Sequence, residues 1–138
     1  MDKDHLNFSK PVSKSIRHML LMTFCLLILS INAYAENQLN DISIAALLDD
    51  QVEITLKFSS SPTEPIVFTT DNPARIALDF ANTDLAIKDR FQDINIGNTK
   101  TVSAIQSKDR TRVVVNLDLL QEYSTIQDGN TYILTIGD

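Results

Sequence analysis

From Gln38 to the end of the chain, the segments rich in apolar residues repeat with a period of two, and this period restricts the fold more than any other feature. Val52-Glu53-Ile54-Thr55-Leu56-Lys57-Phe58 alternates without a fault. A strand sends successive side chains to opposite faces, so this segment has one core face and one wet face. A helix would need apolar spacings of three as well as four, and no apolar pair in this segment is three apart.

The same reading extends along the chain. Ile42-Ser43-Ile44 begins a first strand that ends near Leu47, before a turn at Asp49-Asp50. The Ser59-Ser60-Ser61-Pro62 cluster closes the second with turn chemistry. Ile66-Val67-Phe68-Thr69-Thr70 follows Pro65, and Asp71-Asn72-Pro73 turns the chain into Arg75-Ile76-Ala77-Leu78-Asp79-Phe80, with Ile76, Leu78 and Phe80 inward. Residues 81–98 are less regular and predict a crossing loop with a short strand near Ile94. Val102-Ser103-Ala104-Ile105 resumes the alternation, Lys108-Asp109 makes a tight connection, and Arg112 to Leu117 is the most β-prone run. Asp128-Gly129 between two β-prone runs signals a hairpin. Seven or eight short strands with frequent turns predict an all-β domain, a sandwich or barrel with two sheets sharing one core.

The N-terminus reads differently. Lys10, Lys14 and Arg17 precede a nearly unbroken apolar run from Met19 to Ile31, and Ala33-Tyr34-Ala35 puts small residues before Glu36. This is the pattern of a secretory signal peptide over residues 1–35. The run is shorter than the roughly 20 residues a membrane-crossing helix needs. Cys25 lacks small residues before it, which argues against lipid attachment. Residues 36–138 are then the mature domain, long enough to bury a core without staples.

Removal of residues 1–35 takes away the only Cys and both His residues, His5 and His18. No Ser-His-Asp, Cys-His or His-bound zinc chemistry is then available, and no cofactor is expected. A pair of carboxylates could in principle hydrolyse glycosides. The acids at Asp49-Asp50, Asp71 and Asp128 instead sit at turns, where Asp is favoured for local hydrogen bonds, and no metal-loop spacing accompanies them. The expected domain is not an enzyme. From Glu36 onward eight Lys or Arg face sixteen Asp or Glu, a formal charge of −8. Nucleic acid and anionic lipid surfaces are therefore excluded as bulk electrostatic partners.

Three blocks carry a resemblance: Asn72-Pro73-Ala74-Arg75-Ile76-Ala77-Leu78-Asp79-Phe80, Gly97-Asn98-Thr99, and Lys108-Asp109-Arg110-Thr111-Arg112-Val113-Val114-Val115-Asn116-Leu117. Together with Tyr123 and the Gly129-Asn130-Thr131-Tyr132 hairpin, they resemble an AMIN domain over essentially all of residues 36–138. The order of the blocks is most similar to the first AMIN domain of the PilQ-type secretins of type IV pili in gammaproteobacteria. The resemblance implies a small β-sandwich of two sheets, a periplasmic location at the cell wall or outer membrane, and peptidoglycan as ligand. It also implies other pilus envelope proteins, or the rest of a secretin chain, as partners. The chain stops at Asp138 without the further domains of a secretin, so a fragment or short form, a truncated reading frame or a free-standing module is expected. The Pro-x-Arg block also occurs in the targeting domain of N-acetylmuramoyl-L-alanine amidases, which is the alternative. A periplasmic protein-interaction module is a third reading, since open sheet edges accept partner strands.

Under this resemblance the candidate ligand residues are Arg75, Asp79, Arg110, Arg112 and Asn116. Arg110 and Arg112 share a strand face by parity, and Arg75 and Asp79 share the outer face of theirs. Arg75 joins the others only if the two strands are neighbours, which parity cannot establish. Arginine forks onto carboxylates, and peptidoglycan carries carboxylates on its stem peptides. The competing reading makes Arg75, Asp79 and Arg112 cross-strand ion pairs that fix register. Tyr123 and Tyr132 could stack on sugars but suit half-buried packing equally well.

Overall fold

The computed structural model describes Lys14, Ser15 and residues 36–137. The predicted signal peptide and its cleavage point lie outside the described residues. Residues 35–138 form one unit, built on alternating strands. In chain order these are β1 (Asn37–Ala46), β2 (Val52–Phe58), β3 (Ile66–Asp71), β4 (Ala74–Ala81), β5 (Thr83–Leu85), β6 (Phe91–Ile96), β7 (Thr99–Ser107), β8 (Arg110–Leu117), β9 (Tyr123–Asp128) and β10 (Thr131–Ile136).

They pair into two five-stranded sheets. The first has the order β5-β1-β2-β10-β9 and the second β3-β4-β8-β7-β6. Pairing is antiparallel except between β1 and β5, which run parallel. Each sheet contributes its alternate residues to one shared core. Leu39, Val52, Ile54, Leu56, Leu134 and Ile136 come from the first, and Ile76, Leu78, Phe80, Val102, Val113 and Val115 from the second. Removing apolar side chains of this size from water stabilises a fold by about 1.5–3 kcal/mol each. At the centre Phe80 packs between Phe58 and Tyr132, with ring centroids 4.9 and 5.4 Å away, the second contact edge-to-face. Tyr132 is thus a core residue with 4% of its surface exposed, not a sugar platform.

Local chemistry sets the turns. Gly129 opens the two-residue β9–β10 hairpin with φ +55°, a conformation that glycine adopts without strain. Lys108 takes φ +53° in the equally tight β7–β8 connection. Gly97, at φ +51° between β6 and β7, has a second reason to be glycine. A Cβ there would lie 2.9 Å from the Asp50 carbonyl oxygen in the short 3-10 turn Leu48–Asp50, so the tip of the second sheet meets the tip of the first. Asn72-Pro73, a cis peptide, joins β3 to β4.

The segment that reads as a crossing loop contains two strands. β5 is three residues long and closes the edge of the first sheet beside β1. Its position depends on Gln106 of β7, whose side chain accepts from the Leu85 amide and donates to the Thr83 carbonyl and Asp84. The buried Thr111 hydroxyl also donates to the Thr83 carbonyl at 2.8 Å. These bonds satisfy backbone groups at a corner where the sheets meet, and they involve residues far apart in sequence.

Candidate ligand-binding face

The register of the second sheet determines which side chains share its outer face. Arg75 lies opposite Asn116, Ala77 opposite Val114, Asp79 opposite Arg112 and Ala81 opposite Arg110. On one side β3 adds Thr70 beside Arg75, Phe68 beside Ala77 and Ile66 beside Asp79. On the other β7 adds Thr101, Ser103 and Ile105 beside Asn116, Val114 and Arg112. β4 and β8 are direct neighbours, so all five candidate residues stand together on one surface.

Their surroundings are not equivalent. Arg112 donates from Nη2 to Asp79 Oδ2 at 2.6 Å, and Arg110 Nη1 lies 3.5 Å from the same oxygen. Only 2% of the Asp79 side chain is exposed, and Oδ1 has no hydrogen-bond partner. Asp79 is therefore a buried anchor that holds two arginines over the sheet. The cross-strand pairing weighed from the sequence describes Asp79 and Arg112 well. The Arg112 guanidinium also sits 5.6 Å from the centroid of the Phe68 ring, an attractive arrangement of cation over aromatic face.

Arg75 is held differently. Its Nε donates to Asn116 Oδ1 at 3.0 Å, and Asn116 Nδ2 donates to Thr101 Oγ1 at 2.8 Å. This chain fixes the guanidinium through a neutral partner. Among the described residues no carboxylate pairs with Arg75, although Asp and Glu outnumber Lys and Arg in the domain.

Two hollows open on this face. One, of about 280 Å³, is lined by Phe68, Thr70, Arg75, Ala77, Arg112 and Val114. The other, of about 260 Å³, is lined by Asp79, Ile105, Ser107, Arg110 and Arg112. Arg112 forms the wall between them. A larger cleft of about 610 Å³ lies elsewhere, between the Asn40–Ile42 part of β1 and residues 86–92. It is larger but chemically weaker as a site for an anion, because Lys88 shares it with Asp41 and Asp89. Among the described residues no group of three His, Cys, Asp or Glu side chains is gathered to hold a metal, and no helix is long and apolar enough to cross a membrane.

The apolar part of the face was not anticipated from the sequence. Ile66, Phe68 and Ile105 are 59, 47 and 54% exposed, and Phe91 on β6 is also open. Alternation marks a strand but does not say which face of an edge strand is covered. Half-buried Val67, directly opposite Leu78, takes the inward position instead. Tyr123 lies on β9 of the other sheet, away from the arginines.

Comparison with known proteins agrees with this architecture. The AMIN domain family model matches residues 41–136. Over 100 residues, 72% of this chain, the sequence is 35% identical to the fimbrial assembly protein PilQ of Pseudomonas aeruginosa. Over the same length it is 30% identical to the type IV pilus biogenesis and competence proteins PilQ of Neisseria gonorrhoeae and Neisseria meningitidis. The matched region spans only 13–14% of the length of these relatives. No solved structure gives a significant match.

Proposed function

This chain belongs to the AMIN domain family, and we propose that its folded part is a non-catalytic peptidoglycan-binding module of a PilQ-type pilus secretin, exported to the periplasm. The apolar run Met19 to Ile31 followed by Ala33-Tyr34-Ala35 supports export. The likeness to PilQ proteins supports the secretin context over that of an amidase.

The observation that carries the reading is a cluster of three arginines on one face of an acidic module. The outer face of the second sheet presents Arg75, Arg110 and Arg112, with Asp79 buried beneath them, Asp109 beside Arg110 at 3.7 Å and Asp93 out on β6, so Arg75 is its one arginine without a carboxylate partner among the described residues. The outer face of the first sheet has Lys57 among Asp41, Glu53 and Asp128. Bulk attraction to a polymer that bears carboxylates is unfavourable at this net charge, so affinity has to come from a local site with good geometry. Pre-placed guanidinium groups provide one, because charge-assisted hydrogen bonds to carboxylates are worth about 1.5–3 kcal/mol each. The module thereby fixes its parent chain to the wall.

Co-sedimentation with purified sacculi tests this. The chain is expected to pellet, less so as salt rises, and Arg75→Ala is expected to weaken pelleting about tenfold. Undiminished pelleting of the variant would place the ligand on another surface.

A further inference from the structure

We propose that the hollow between Phe68, Arg75 and Arg112 is a seat for the free carboxylate end of a peptide with small aliphatic side chains. In peptidoglycan this means the stem peptide and not the glycan strand. The proposal deepens the function proposed above and rests on it for the polymer, while the chemistry of the hollow stands on the following geometry.

Arg75 is the unsaturated group of the face. Arg112 and Arg110 already share the Asp79 carboxylate, whereas Arg75 is oriented by a neutral amide at Nε and has no carboxylate partner among the described residues. Its two terminal nitrogens make a fork suited to two carboxylate oxygens. One such fork matches a single negative charge, and the domain's net charge of −8 disfavours a dianion.

The rest of the lining selects what is attached to that carboxylate. Ala77 and Val114, directly opposite each other, give a small apolar floor, and about 280 Å³ leaves room for short side chains only. The Thr70 hydroxyl donates to the Pro73 carbonyl at 2.7 Å. Its proton is thus committed, and its oxygen is left able to accept from a peptide N–H. A sugar is a poorer fit. Stacking on a pyranose needs an open aromatic face, and the Phe68 ring already carries the Arg112 guanidinium at 5.6 Å.

The test is a titration of the purified ¹⁵N-labelled chain with N-acetyl-alanyl-alanine, as the free acid and as its C-terminal amide. The acid is expected to shift the Arg75 Nε–Hε signal and the Ala77 and Val114 amides saturably. The amide should bind at least about tenfold more weakly, the worth of one charge-assisted bond. Arg75→Lys keeps the charge and loses the fork. Ala77→Leu keeps every charge and fills the floor. Both should lose the response to the acid while retaining a wild-type spectrum elsewhere. Equal responses to acid and amide, no response to either, or an unchanged response in Ala77→Leu would overturn the proposal. Sacculi separate it from the wider reading. Pelleting with intact sacculi but no response to the acid peptide leaves peptidoglycan binding in place and removes this seat. If no sacculi pellet the chain, peptidoglycan binding falls, and the peptide titration alone decides the seat.

Discussion

Arg75 and Arg112 show how two arginines that look alike in sequence have different roles in the fold. Both are exposed members of the same outer face, yet Arg112 neutralises a buried carboxylate while Arg75 bonds a neutral amide. Truncating Arg112 leaves Asp79 buried with only the longer Arg110 contact, which costs about 1–3 kcal/mol. For a domain of this size that lowers the melting temperature by at least several degrees, at roughly 4–8 °C per kcal/mol. Arg75→Ala should melt within a few degrees of wild type. Thermal melts of the two variants side by side check this split, and equal shifts would contradict it. Parity placed both residues, with Asp79 and Asn116, on the outer face from sequence alone. That Asp79 lies buried under two guanidinium groups was not legible. Burial on an outer face comes from long side chains reaching across from the neighbouring strand, and a one-strand pattern does not record them.

The central strands were the most readable elements. In β4 the alternate residues Ala74, Ile76, Leu78 and Phe80 all lie in the core, and in β8 Val113, Val115 and Leu117 do, so the pattern and the packing agree. β5 and β6 were less readable because long-range bonds specify them. Three residues of β5 carry little periodic signal, and the strand is held by Gln106 and Thr111 from the other sheet. Gln106→Leu keeps approximate volume and removes the bonds to Leu85, Thr83 and Asp84. Unfolding in denaturant should show a loss of about 1–3 kcal/mol, the cost of leaving the partly buried Leu85 amide without its side-chain acceptor, while the Thr83 carbonyl keeps its bond from Thr111. Hydrogen exchange should quicken first at the Leu85 amide. The β6–β7 turn makes a separate prediction. Gly97→Ala places a Cβ 2.9 Å from the Asp50 carbonyl oxygen at positive φ, so it should destabilise by more than the roughly 1 kcal/mol that a strained turn residue alone costs. Gly129→Ala, with open space around it, isolates the backbone part of that cost and should be milder.

At the scale of the whole molecule, the two sheets share a core but present opposite surfaces. One outer face is acidic around a single lysine, and the other carries three arginines beside exposed Ile66, Phe68 and Ile105. Net charge describes neither face. The central claim, that peptidoglycan binds the second sheet's outer face through Arg75, is tested most directly by a charge-matched pair of variants. Arg75→Glu and Lys57→Glu change the net charge identically on opposite faces, and Lys57 has only a 3.8 Å exposed contact with Asp41. Pelleting with intact sacculi should fall at least about tenfold for Arg75→Glu and stay near wild type for Lys57→Glu. Equal losses in the two variants, or none in either, would contradict the claim.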